Sequence, residues 1–227
     1  MTPLHILFQD EYLVAIDKPA GMLVHPGREP EGNEFIAMKR LRDELGKLVY
    51  PIHRLDRPTS GVLLFALDKK TAGIVQQNFE LRKVEKTYQA IVTGKAPSGW
   101  ICETPLSNDP TEALLTAKTT FERLAIVERN FPHGASPITL SLLKATPYTG
   151  RFHQIRRHLL ESGYPIVCDF RYAGIEESIE LGEMLGIGTR MLLQAKSLKI
   201  DHPHSAEKLH ISAPTDAAFL KVFPDLS

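Results

Sequence analysis

Short apolar runs and two-residue alternation dominate the chain, and helical periodicity interrupts them in a few places. Ile6-Leu7-Phe8 and Tyr12-Leu13-Val14-Ala15-Ile16 predict two strands around Gln9-Asp10-Glu11, and a Lys18-Pro19-Ala20-Gly21 turn then leads to a third short strand at Leu23-Val24. Asn33 is placed to cap a helix with an apolar stripe of Phe35, Met38, Leu41 and Leu45, and Gly46 to stop it. Val49, Pro51 and Ile52 precede a polar loop, and the run from Val62 to Leu67 follows it as a buried strand. Residues 71–82 carry a second amphipathic pattern with Ile74, Val75 and Phe79 inward. The segment Thr87 to Thr93 alternates, with Tyr88, Ala90 and Val92 on one face and Thr87, Gln89 and Ile91 on the other, and Gly94 ends it.

Turn signals fill residues 95–115, among them Pro97, Pro105, Pro110 and Ser107-Asn108-Asp109. Two strands follow at 117–128 and 138–144, joined across a loop holding Pro132, Gly134 and Pro137. Thr149-Gly150 turns the chain into a helix over 152–161, with Gly163 as its stop. Phe152, Ile155 and Leu159 share a face of that helix, and Arg156 at the margin can reach inward. A polar helix over 176–187, returning strands at 191–195 and 198–200, a last strand at 208–212 and a short helix capped by Thr215 complete the pattern. Strands outnumber helices without βαβ alternation, so the expected class is α+β around a large, mostly antiparallel mixed sheet flanked by helices and loops.

Composition narrows the picture. With 227 residues and 43% hydrophobic content the chain can bury a sizeable core, and a single domain over 1–227 is expected. Lys plus Arg and Asp plus Glu are both 27, which excludes the global basicity of a general nucleic-acid binder. Local charge differs: Lys144 to His158 holds Lys144, Arg151, Arg156, Arg157 and two histidines but no acidic residue. Cys102 and Cys168 are far apart, and His202-Pro203-His204 lacks a suitably spaced third ligand, so neither a disulfide nor a metal is expected. No run approaches the roughly 18 apolar residues of a membrane span and no leader precedes the first strand, so the expectation is a cytoplasmic chain without membrane contact. The absence of a phosphate-binding or dinucleotide-binding glycine motif leaves no cofactor indicated.

The chemistry concentrates at His53-Arg54-Leu55-Asp56-Arg57-Pro58-Thr59-Ser60-Gly61. Pro58 restricts one φ, Gly61 admits a φ that other residues resist, and the Thr59 and Ser60 hydroxyls can pin the turn, so Asp56 is held in one orientation. Only this carboxylate has a motif around it, which argues against a two-carboxylate glycoside hydrolase. A non-catalytic RNA-binding module remains the rival, since it needs the basic segment but not Asp56.

The loop resembles the signature of the RluA-type pseudouridine synthases. The likeness recurs at Lys18-Pro19-Ala20-Gly21-Met22-Leu23-Val24-His25-Pro26, at Lys86-Thr87-Tyr88, and from Thr149 to His158. It implies the pseudouridine synthase catalytic fold and a cofactor-free isomerisation of uridine in RNA, while the neutral composition and compact size are consistent with a monomer. The glycosidic bond to N1 is broken, the uracil turned over, and C5 joined to the same sugar carbon. It further implies Asp56 as the catalytic residue, attacking C1′ or taking a proton from C2′, Tyr88 as the aromatic that stacks on the base, and Arg156 as the partner of the aspartate. Arg54 resembles the arginine that fills the space of the flipped base, a phosphate contact being equally open, and Lys144, Arg151 and Arg157 are candidate backbone contacts. The chain starts almost at the entry segment, so an N-terminal S4 domain is expected to be missing. Arg57-Pro58 and Arg156-Arg157-His158 look most like the tRNA-modifying branch acting on uridine 65, with rRNA the alternative. Two departures stand out: Gln194 replaces a usual His, and Cys168 a usual Gly before Asp169.

Overall fold

The computed structural model describes residues 2–26, 32–107, 113–130, 137–205 and 207–226. The turn signals at Asn108, Asp109, Pro110, Pro132 and Gly134 lie outside them. Two compact units form, one from Met1–Lys86 with Ala195–Pro214, the other from Thr87–Gln194 with Thr215–Ser227.

In the first unit β1 (His5–Gln9) and β2 (Leu13–Lys18) make an antiparallel hairpin. The Asp10 carboxylate closes it by accepting from the N–H groups of Tyr12 and Leu13, both at 2.7 Å. The expected third strand at Leu23-Val24 is reduced to a single bridge between Leu23 and Ile36. Its carbonyls are used instead at the start of α1 (Ala37–Leu45), where Ala37 N–H bonds Leu23 O and Met38 N–H bonds Val24 O. This backbone cap displaces the expected one: Asn33–Phe35 is a separate 3-10 turn, Phe35 is exposed, and Ile36 stands at the cap position. Gly46 ends α1 at φ 62, as its spacing predicts.

β3 (Tyr50–Pro51) and β2 both pair with β4 (Ser60–Ala66), every residue of which is buried. Burial on both faces explains why β4 reads as an unbroken apolar run instead of alternating. α2 (Lys69–Glu80) begins at Asp68, which accepts from the Thr71 N–H at 2.9 Å and from its hydroxyl at 2.6 Å. The core gathers Leu13, Val62, Leu64 and Val75 with Leu198 and Ile211.

The second unit orders its strands β5-β8-β7-β6, all antiparallel: β5 (Glu85–Thr93, from Thr87 onward), β6 (Gly99–Cys102), β7 (Thr119–Arg129) and β8 (Ile138–Pro147). β6 has no counterpart in the sequence pattern, which shows only a loop there. Alternation along β5 separates two cores: Ala90 and Val92 pack with Phe121, Leu143 and Leu159, and Ile91 packs with Leu140, Leu142, Leu181 and Phe219. The first is covered by α3 (Gln154–Glu161), the second by α4 (Ile175–Met184) and α5 (Ala217–Val222). Asp216, not Thr215, caps α5 by accepting from the Ala218 N–H at 2.9 Å.

The two expected returning strands are one, β9 (Leu193–Asp201), and β10 (Lys208–Ser212) pairs with its Ser197 to Asp201 part. The α+β class and the antiparallel pairing agree with the sequence pattern.

Candidate active site

Asp56 sits half-buried in the loop between β3 and β4, and the backbone beneath it is fixed from several directions. Its own carbonyl accepts from the Thr59 N–H at 3.0 Å, closing a turn over Arg57-Pro58. The next carbonyl, that of Arg57, accepts from Gly21 N–H at 2.8 Å and from the Lys18 ammonium at 3.2 Å. Arg57 returns the contact by donating Nε–H to Gly21 O at 3.0 Å. Lys18 is 0% exposed and also donates to Pro19 O at 3.0 Å and Met22 O at 2.8 Å. A buried cation is costly unless hydrogen-bonded, so its three donors tie the Lys18 to Met22 turn firmly to the aspartate loop.

Thr59 and Ser60 are buried where the loop enters β4. Gly61 has φ +104, and a Cβ there would stand 2.2 Å from Ala195 O, so both conformation and close packing demand glycine.

His53 is tied into the scaffold around the loop. Its Nε2 accepts from Leu64 N–H at 3.2 Å and so extends the β3 pairing by one side chain, while its ring stacks on Phe79 at 5.1 Å. Burial pushes the imidazole down to about 4, aided by the nearby Lys86 ammonium and opposed by a backbone hydrogen bond at Arg54. The ring is therefore neutral at pH 7, with its proton on Nδ1. Burial also lowers Lys86 below its ordinary value. Arg54 is exposed.

The remaining predicted residues lie in the second unit. Tyr88, on β5 opposite Ala145, is half-buried against the Ala90 and Ile155 core. Arg156 is buried on α3, and its guanidinium grips Asp169 by a two-point fork, Nε to Oδ2 and Nη2 to Oδ1, each at 2.7 Å. The same guanidinium lies 5.0 Å from the Tyr172 ring centroid. His153, at the cap position of α3 with φ 52, bonds the Tyr172 hydroxyl through Nδ1 at 3.0 Å and stacks on Phe152.

Gln154 and His158 of the same motif are scaffold. The Gln154 carbonyl accepts from Thr149 Oγ1 at 2.7 Å and Arg151 N–H at 3.0 Å, and its amide donates to Lys118 O and Thr119 Oγ1. His158 bonds Thr119 Oγ1 and Thr104 O, and burial holds its imidazole below the ordinary value.

Each candidate RNA contact of this unit has a protein partner: Lys144 pairs with Glu122 at 3.3 Å, Arg151 donates to Thr116 O, and Arg157 to Ser107 O. The departure at Cys168 has a physical account. It adopts φ 56, the left-handed conformation that glycine takes without strain, and its thiol is buried against Ser178 O and Gly188 O. Gln194 is buried and accepts from Asp216 N–H at 3.3 Å. His202 and His204 are engaged by Asp10 and Thr71, and no metal-binding group of three occurs among the described residues.

Sequence reasoning missed Lys18 as an interior cation, and Asp169 with Tyr172 as the setting of Arg156. The first left a trace in the Lys-Pro-x-Gly turn, the second in the Cys168-Asp169 step.

Residues 12–161 match the model of a family described as RNA pseudouridylate synthase. The chain is 40% identical over 231 residues to a Haemophilus ducreyi protein named tRNA pseudouridine synthase C, covering 97% of this chain and 94% of that one. A Vibrio parahaemolyticus protein of the same name is 38% identical over 233 residues, with 97% and 94% covered. Solved structures of human RNA Pseudouridylate Synthase Domain Containing 1 and 4 share the fold, with TM-scores of 0.73 and 0.74 at 23% and 24% identity. They cover 96% and 97% of this chain and 90% and 92% of their own.

The chain belongs to the RluA-type RNA pseudouridine synthases. It is an isomerase that converts uridine in RNA to its C-glycoside.

Proposed function

We propose that this enzyme modifies tRNA, at uridine 65, with Asp56 as the catalytic carboxylate. The immobilised backbone beneath Asp56 supports the chemical assignment: carbonyls 56 and 57 are both held, so the main chain that carries the carboxylate is fixed before a sugar binds. The relatives named tRNA pseudouridine synthase C support the choice of tRNA. Asp56 either attacks C1′ or removes a proton from C2′, and both routes require it ionised. Tyr88 stacks on the uracil and Arg156 favours the charged form of Asp56. The target base leaves the RNA stack at a cost of about a few kcal/mol, and exposed Arg54 fills the gap or grips the adjacent phosphate. Arg151, Arg157 and Lys144 contact the backbone, each exchanging its present partner for phosphate. The enzyme works as a cytoplasmic monomer.

Mapping pseudouridine in total tRNA and rRNA from cells with and without the protein tests the target. Loss confined to tRNA position 65 is expected, whereas loss of an rRNA site with intact tRNA would defeat the tRNA assignment. Asp56→Asn should retain RNA binding and form no pseudouridine, and turnover by that variant would remove Asp56 from its role.

A further inference from the structure

We propose that Asp169 is a positioning residue that sets which edge of the Arg156 guanidinium faces the reaction. This rests on the catalytic role proposed for Arg156. The fork engages the Nε side, Nε and Nη2 each bonding one carboxylate oxygen at 2.7 Å, so Asp169 fixes the plane of the guanidinium and leaves the edge carrying Nη1 outside the fork. The backbone that carries this carboxylate is also held. Asp169 N–H bonds Ile166 O at 3.1 Å, its carbonyl accepts from Tyr172 N–H at 3.0 Å and Ala173 N–H at 2.7 Å, and Oδ1 accepts additionally from Arg171 N–H at 3.2 Å. The left-handed turn at Cys168, φ 56, brings the chain into Asp169. On the guanidinium's face stands Tyr172, its hydroxyl anchored by His153.

Side-chain exposures of 6% for Arg156 and 1% for Asp169 make stability alone a poor reason for this pair. Two desolvation costs offset the attraction, and apolar residues of similar volume would serve as well. Fixed direction is what the fork adds and what apolar packing lacks.

The test is single-turnover pseudouridine formation and RNA affinity for the wild type, Asp169→Asn and Asp169→Glu, each at a temperature where circular dichroism shows it folded. The Asn amide would turn a donor towards a guanidinium donor and break the fork. A loss of roughly 30-fold or more in rate is expected, with RNA affinity within about twofold of wild type, because misplacement near 1 Å costs on the order of 100-fold. Asp169→Glu keeps the charge but shifts its position, and should recover stability while staying at least about fivefold slow.

A folded Asn variant with wild-type rate overturns the proposal, as does a parallel loss of rate and RNA affinity. If the Asn variant does not fold, the Glu variant decides: full rate would make Asp169 structural only, and a slow rate at unchanged affinity supports positioning. Wild-type protein forming no pseudouridine in any RNA would instead defeat the underlying functional reading, so the two failures are distinct.

Discussion

Lys18 shows how a single residue can be plain in sequence yet hidden in role. A lysine before Pro-Ala-Gly reads as a solvated turn residue, and nothing local says that its ammonium folds inward to three carbonyls, one of them 39 positions away. Such a contact depends on the chain's return and has no periodicity to betray it. The turn that begins at Asp56 was legible for the opposite reason, because its chemistry is contiguous from Asp56 to Gly61. Replacing Lys18 with Met keeps the stem and removes the donors, leaving the Met22 carbonyl short of a donor in a buried setting. A loss of about 2–4 kcal/mol in urea unfolding is expected, together with a fall in pseudouridine formation, since the Arg57 carbonyl loses one of its two donors and keeps the Gly21 N–H. A Lys18→Met protein as stable as the wild type would show that the three bonds contribute nothing.

At the scale of elements, most strands and helices followed from pattern, and the misses share a cause. The cap at Asn33 lost to backbone carbonyls from Leu23 and Val24, and the strand at Leu23-Val24 was lost with it, because one segment's hydrogen bonds cannot serve two elements. β6 was hidden because Gly99–Cys102 is short and lies between prolines, and only its pairing with β7 makes it a strand. Gly61 was legible as a turn residue but not as a packing requirement, since β9 comes from over 130 residues later. Gly61→Ala should therefore lose at least about 3 kcal/mol, combining a strained φ with a Cβ driven into backbone. Soluble, active Gly61→Ala protein with unchanged unfolding would contradict that close approach. Cys168 offers a milder check. Burial raises its thiol to about 11, so at pH 8 the native protein should leave Cys168 unlabelled by a thiol reagent and the denatured protein should label it.

For the whole molecule, balanced charge argues against broad basicity, and the segment from Lys144 to His158, which has no acidic residue of its own, draws its carboxylate partners from elsewhere in the chain, Glu122 for Lys144 and Asp169 for Arg156. How the chain divides between two compact units left no compositional trace, because Ala195–Pro214 joins residues far away in sequence through strand pairing and a shared core. Two histidines whose imidazoles are lowered by desolvation give the molecule a pH dependence with a definite sign. His53 titrates at about 4 when folded and near 6.5 when unfolded, and His158 is lowered in the same direction. Between those limits the unfolded chain binds more protons, so stability is complete above pH 6.5 and falls as pH drops towards 4. For His53 alone the ceiling is on the order of 3 kcal/mol. His53→Gln keeps an oxygen able to accept from Leu64 N–H but cannot titrate. Urea midpoints measured from pH 8 to pH 4 should decline less steeply for this variant than for the wild type, and parallel profiles would mean that His53 does not set the acid limb.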